Sequence, residues 1–463
     1  MADNVAQAEP EALTLGLEDE IGVGQGIALG FQHVLVSNVW LDPVFVAAVA
    51  GLPLALAGNM VNAIFLAAGI VSLIQSTRLV RLPVIEGPSA TFDPLMISFG
   101  QAGRLAQATT GILVGGAVIF LISISGLLGR VRSIFTPVVT GTVTLLVGLA
   151  LANFTLVEFL GGNTKSPDFA GARSLTIACA TMLAVIVFSV FGRGVLQRYA
   201  FVWALVLGDA VAAAFGRLDF SALSSKGWLG IPTFLPYGGL KFEWDAVIIF
   251  LLAFVVAVFE AVAVYFAAAE IVGTEITDQR LNRGIAGEAA GSMISALFGG
   301  FATTAYAQNV GLLRLTKIGT RHAVTYAGAI FLVLAFVPKL GALLASTPDP
   351  VVGGIFLPAA GSLIVVGIDL LAKMAPTERN YMVAGLAVML GVGLPLMSTL
   401  PVGPQGVPLF SKLSQNWSLL LSQQIVVGAV VAIVLQLALV QIPGWIGARG
   451  SARGEEPKPE PAD

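Results

Sequence analysis

Phe301-Ala-Thr-Thr-Ala-Tyr-Ala-Gln-Asn-Val-Gly-Leu-Leu-Arg-Leu-Thr-Lys317 interrupts an otherwise apolar chain with Thr, Tyr, Gln, Asn and Gly. Thr303 to Ala307 mixes β-branched and aromatic residues and predicts a short extended piece. Asn309 to Thr316 has helical spacing and runs out at Lys317 and Arg321. A strand feeding a half-helix at membrane depth must line a cavity, because lipid satisfies no backbone group. The helix N-terminus, with free N–H groups and a positive dipole end, then points at whatever occupies that cavity.

Composition places this stretch in a membrane. The 463 residues are 56% hydrophobic and 11% charged, with a mean hydropathy of +0.89; a soluble domain carries roughly 25% charged residues. The fold class expected is an all-α polytopic membrane protein. A net charge of −3 with dispersed basic residues implies no nucleic acid partner. The single cysteine, Cys179, lies in an apolar run, so neither disulfides nor thiolate metal sites are expected. Residues 1–20 are acidic and polar without the pattern of a signal peptide, and residues 446–463 mix Lys, Arg, Glu and Pro; both are expected to be disordered cytosolic tails.

Between them lie about fourteen apolar segments near the ~20 residues that cross a hydrocarbon core. They fall at 24–55, 58–77, 83–101, 105–129, 133–153, 175–192, 198–216, 245–271, 283–302, 304–317, 321–345, 350–372, 380–399 and 421–441. The third and tenth are short and interrupted, and Leu218 to Lys241 is expected to be an external surface loop. Arg78 and Arg81, Arg130 and Arg132, Arg193 and Arg198, Arg280 and Arg283, Lys317 and Arg321, and Lys373 and Arg379 all follow even-numbered segments. The positive-inside bias therefore puts both termini in the cytoplasm of a multi-pass plasma (inner) membrane protein.

Thr136-Pro-Val-Val-Thr-Gly141 opens the fifth segment and Asp349-Pro-Val-Val-Gly-Gly354 the twelfth, seven segments later. Seven is odd, so a second copy runs upside down, giving a 7+7 inverted repeat. The interrupted segments are also seven apart, and such a pair points to a binding site. The first interruption, Leu82-Pro-Val-Ile-Glu-Gly-Pro-Ser-Ala-Thr-Phe-Asp-Pro94, precludes a regular helix. Two short antiparallel strands, near Ala90 and Tyr306, would satisfy part of each other's backbone and offer the rest to a planar polar ligand.

A charge at the bilayer centre costs ~2.5–3.5 kcal/mol or more, so ionisable residues in the spans are functional candidates. Glu260 lies amid Phe254-Val-Val-Ala-Val-Phe-Glu-Ala-Val-Ala-Val264 without a basic neighbour, and suits proton exchange or acceptance of N–H bonds. His33 would bond Glu260, relay a proton or bridge helices; Glu288 would pair with an arginine or couple; Asp93, Glu86 and Asp209 are candidates for helix caps or inter-helix bonds. With two histidines in the chain, a metal site is unsupported, and neither an enzyme's nucleophile and base nor a channel's ring of like residues is visible.

Gln308-Asn309-x-Gly311-x-x-x-x-Thr316-Lys317 matches in full the signature of the nucleobase/ascorbate transporter family, which covers uracil, xanthine and uric acid permeases. Gly30-Phe-Gln-His-Val-Leu35 resembles that family's first span, Phe135-Thr-Pro-Val-Val-Thr-Gly-Thr142 its fifth and Phe259-Glu-Ala-Val262 the start of its eighth-span motif. The resemblance implies that Glu260 and Gln308 hold the base, that backbone near Ala90 and Tyr306 completes the site, and that His33, Glu288 and Asn309 orient or couple. It implies core regions at 21–130 and 245–347, gate regions at 131–244 and 348–445, elevator-like movement and a homodimer in lipid. The expected function is purine transport, such as xanthine or uric acid, by proton symport, with sodium as the alternative ion and no cofactor. A uracil permease or an anion transporter of the same fold are the other readings. This chain departs from the family at Val264, Ala90 and Glu288, where purine-transporting relatives have Asp, usually Phe, and usually Asp.

Overall fold

A computed structural model describes residues 13–130, 134–224, 226–402, 407–408, 410, 413 and 415–443. The expectations for residues 1–12, Arg132 and residues 444–463 lie outside the described residues. In chain order, α1 (Val23–Ser37) and α2 (Leu41–Val49) lead to α3 (Leu54–Thr77), β1 (Glu86–Pro88), α4 (Asp93–Gln101), α5 (Leu105–Ile124) and α6 (Leu127–Arg130). Then come α7 (Pro137–Phe159), α8 (Ala172–Val190), α9 (Val195–Arg198), α10 (Ala200–Ala214), α11 (Trp244–Val272) and α12 (Asp278–Leu297). Strand β2 (Thr303–Ala305) precedes α13 (Ala307–Thr316), α14 (Arg321–Ala335), α15 (Pro338–Ala345), α16 (Asp349–Ala372) and α17 (Glu378–Thr399). The short strands β3 (Pro401–Val402) and β4 (Val407–Pro408), then α18 (Gln415–Leu421) and α19 (Gln424–Leu435), complete the order, with a π-helical turn at Gln436–Gln441.

Among the described residues nine helical stretches are long and apolar enough to cross a membrane, ten if α14 and α15, bent by 86°, count as one. The rest are shorter or more polar. The first expected span is broken into α1 and α2, because Asn38 adopts a left-handed conformation, φ 54°, that ends α1. In α12, Gln279, Arg280, Asn282, Arg283 and Glu288 lower the hydropathy of a full-length helix. The stretch 218–241 holds one 3-10 turn, Ser221–Leu223, and exposes Trp228, Leu229 and Ile231.

The chain divides into two compact units, one comprising residues up to 130 with 151–360, the other 131–150 with 361 onward. In the larger unit α3 and α14 pack backbone to backbone. A Cβ on Gly69 would meet Leu332 N at 2.8 Å, and one on Gly328 would meet Leu73 N at 2.9 Å, the small-residue packing that substitutes for hydrophobic drive inside lipid. Phe92, wholly buried, lies tilted 5.9 Å from Phe250 and edge-on 5.0 Å from Phe254, which ties the start of α4 to α11. In the smaller unit α17 packs against α19, where a Cβ on Gly391 would come 3.1 Å from Gly428 Cα.

Residues 13–20, expected within a disordered tail, are ordered instead. Leu15 bridges Ile318 in parallel, Thr14 N donates to Lys317 O at 2.8 Å and Arg321 N to Leu17 O at 3.1 Å. Glu18 bonds Arg321 at 2.7 Å and Arg81 at 3.0 Å. Composition counts acids; it does not see the arginines that meet them.

Candidate functional site

The two interruptions meet. β1 and β2 pair antiparallel, Glu86 opposite Ala305, Gly87 opposite Thr304 and Pro88 opposite Thr303. The ladder extends one bond at each end, Ser89 N to Ala302 O and Tyr306 N to Ile85 O, both 2.9 Å. β2 leads through Tyr306 into α13, and β1 leads through the link 89–92 into α4, so one half-helix follows each strand of the antiparallel pair. Their first-turn amides have no intrahelical acceptor and their dipoles are positive there, so the ladder is flanked by two donor-rich helix ends.

Glu260 comes to this place from the middle of α11. It is half-buried, and both oxygens are engaged: Ser89 Oγ donates to Oε2 at 3.0 Å and Thr91 Oγ1 to Oε1 at 2.6 Å. The carboxyl is thus fixed against the β1–α4 link, beside the half-buried Ala90. Tyr306 is buried at the β2–α13 junction, and its hydroxyl donates to Asp42 Oδ2 at 2.7 Å. Gln308, in the first turn of α13, is exposed, so its amide is open to a ligand.

Three other candidates are bonded to groups other than Glu260. Asn309 is wholly buried and its Nδ2 donates to His33 Nδ1 at 2.9 Å, tying α13 to α1. His33 therefore accepts from Asn309, which assigns its proton to Nε2, and the expected bond to Glu260 is not made. Glu288 sits behind the ladder. It accepts from Tyr265 Oη, from Thr304 Oγ1 at 3.5 Å and from the Ala305 amide, with no arginine among these partners. Gln75 Nε2 reaches the same Tyr265 hydroxyl at 2.9 Å, and Glu86 Oε1 lies 3.3 Å from it. Glu86 is thus part of a buried polar cluster and not a helix cap. Ser89, Thr91, Asp42, Tyr265 and Gln75 are site or support residues that the sequence reading missed. Ser89 and Thr91 had a signal, since they flank Ala90 in the interruption.

The arrangement can present a carboxyl, an amide and helix-end N–H groups to one planar molecule bearing alternating N–H and C=O edges. Among the described residues no group of three or more His, Cys, Asp or Glu is placed to hold a metal ion.

Residues 24–400 match the model of the Permease family denoted Xan_ur_permease. The uric acid permease PucK of Bacillus subtilis is 30% identical over 418 residues, 89% of this chain and 94% of the relative. The xanthine permease of Bacillus subtilis is 26% identical over 90% of this chain and 94% of the relative; the uracil permease of Bacillus caldolyticus is 29% identical over 82% and 88%. In fold, the chain is similar to the transmembrane domain of a cyanobacterial bicarbonate transporter, BicA, at a TM-score of 0.57 and 18% identity over 91% of this chain and 99% of that one. It is also similar to the murine Slc26a9 anion transporter, at 0.62 and 12% over 92% and 69%. With its strand-linked half-helices and its Gln308–Lys317 signature, this multi-pass membrane chain belongs to the xanthine/uracil permease family of nucleobase transporters.

Proposed function

We propose that this protein carries a purine base of the xanthine or uric acid type across the plasma membrane by proton symport. Glu260 accepts ring N–H groups of the base, and the Gln308 amide matches an N–H next to a carbonyl; helix-end N–H groups of α13 take an exocyclic oxygen. The observation that carries this reading is the fixed carboxyl of Glu260, held by Ser89 and Thr91 beside the paired half-helices. That carboxyl also disfavours the anion-transporter reading, because an anion seated at the same helix ends would face it.

The full architecture belongs to the proposal: fourteen spans as a 7+7 inverted repeat, both termini cytoplasmic, and an elevator-like exchange of a base-carrying core (21–130, 245–347) between the two faces past a gate (131–244, 348–445). A homodimer in lipid is the expected assembly. Competition for uptake tests the recognition model. Gln308→Ala should abolish base binding, and Gln308→Glu, which loses the donor when ionised, should change which bases compete. Transport with unchanged affinity in Gln308→Ala would remove the amide from the site.

A further inference from the structure

Three acids face one another around the ladder. Asp42 comes from the first turn of α2, Asp93 is the first residue of α4, and Glu260 comes from α11. Two of them are satisfied, Asp42 by Tyr306 Oη and Glu260 by Ser89 and Thr91. Asp93 is 0% exposed, and neither Oδ1 nor Oδ2 has a hydrogen-bond partner. It faces both other acids closely enough to feel their charge, and its chain neighbour Phe92 packs against Phe250 and Phe254.

Helix capping does not account for it, since the N-terminus of α4 shows no side-chain cap bond. A carboxylate at a helix N-terminus gains ~0.3–1 kcal/mol from the dipole, about 2 at most. Stripping an ion of water costs several kcal/mol. The dipole therefore cannot hold a bare, unpartnered anion here, and Asp93 needs either a counter-cation or a proton.

The titratable groups facing it are Asp42 from α2, Glu260 from α11 and Tyr306 from the β2–α13 junction. The α5 helix packed against α4 brings none within its length, and Arg104 at its start is held by Glu243 and Asp245. A metal cation would need several converging oxygens, and among the described residues no group of three or more His, Cys, Asp or Glu is placed to hold one. Of the two, the side chains favour the proton.

We infer that Asp93 is a proton-binding residue beside the base site, separate from Glu260 and linked to it by charge. The inference rests on the nucleobase reading for its consequence. With a proton on Asp93, Glu260 is free to be the one anion that meets the N–H groups of the base. Loss of that proton at higher pH sets two carboxylates against each other and expels the base. Asp93 takes its proton from water before the base binds and returns it to water after the base leaves, so the balance needs no further reactant.

The test is base affinity against pH on the purified full-length protein, with labelled xanthine and uric acid as probes. Wild type should bind at least tenfold more weakly on the alkaline side of its profile than on the acid side. Asp93→Asn and Asp93→Ser should bind with a flat profile and should equilibrate the base without accumulating it. Asp93→Glu should restore the dependence with a moved midpoint, which a merely structural role would not produce. A wild-type profile retained in Asp93→Asn or Asp93→Ser overturns the inference, as does accumulation that follows a sodium gradient and not a proton gradient. Infrared difference spectra give a readout that needs no substrate: a protonated-carboxyl band of the unliganded wild type should disappear in Asp93→Asn, and a band that survives overturns the assignment. Failure of wild type to bind any base would sink the nucleobase reading, while the infrared comparison would still decide the protonation of Asp93.

Discussion

Gly87, in the centre of β1, sets how closely Tyr306 approaches the ladder. A Cβ added there would fall 2.7 Å from Tyr306 Cε2, 3.0 Å from Cδ2 and 2.9 Å from Val39 Cγ2. Carbon contacts are comfortable at ~3.5–4.0 Å, so strand and ring must part by about 1 Å. The Tyr306 hydroxyl, at the far end of that ring, donates to Asp42 Oδ2 at 2.7 Å. A displacement of about 1 Å takes this bond beyond hydrogen-bonding range. Overpacking costs ~1–3 kcal/mol and the lost bond about 1 kcal/mol more, so Gly87→Ala should cost ~2–4 kcal/mol. If half of this falls on the loaded site, base affinity drops by roughly fivefold to thirtyfold. Equilibrium binding of labelled xanthine to the detergent-purified variant, with folding checked by monodispersity, gives the number. Gly24→Ala is the control, because a Cβ there meets nothing within 4 Å. Wild-type affinity in Gly87→Ala would refute the claim that the Tyr306 position, set by the strand, shapes the site.

Glu260→Gln keeps size and hydrogen bonding but carries no charge for Asp93 to act on; it should leave some binding or exchange and remove uphill, pH-driven accumulation, read by proteoliposome uptake with and without a proton gradient. Persisting accumulation would show that coupling does not run through the Glu260 charge. The bond from Arg321, then that from Arg81, holds Glu18 below its ordinary carboxylate value, so the contact of residues 13–20 is at full strength above that value and is lost as pH falls through the lowered one. A spin label at residue 16 should therefore gain mobility on acidification in wild type and be mobile at neutral pH in Glu18→Gln; equal mobility in both at neutral pH would exclude a role for the ion pairs. For topology, an impermeant thiol reagent on intact cells should mark a single cysteine at Ser166 and not at Ser451, and labelling at Ser451 would overturn the orientation.

Local chemistry made part of this structure legible in the chain. Prolines and β-branched residues in 82–94 and 301–317 announced two breaks, and the strand pair sits where they were read, at 86–88 and 303–305. Partners brought together by packing were not legible. Ser89 and Thr91 lie some 170 residues from the Glu260 they fix, and nothing near either position in sequence names the other. For Glu86 the chain left a helix cap and a bond between elements both open; its partner, Tyr265, is supplied by α11. For His33 the chain left a bond to Glu260 and a bond between helices both open, and packing of α1 on α13 made the second, with Asn309.

The central claim is that Glu260 and Gln308 make this chain a carrier of nucleobases. The most direct measurement is uptake of labelled xanthine, uric acid, hypoxanthine and uracil by cells lacking their own permeases, with wild type, Gln308→Ala and Glu260→Gln all verified in the membrane. Concentrative uptake of a purine, xanthine or uric acid, by wild type, lost in Gln308→Ala and reduced to exchange in Glu260→Gln, is the predicted result. Verified membrane insertion with no uptake of any of the four bases, or purine uptake indifferent to both substitutions, would contradict it.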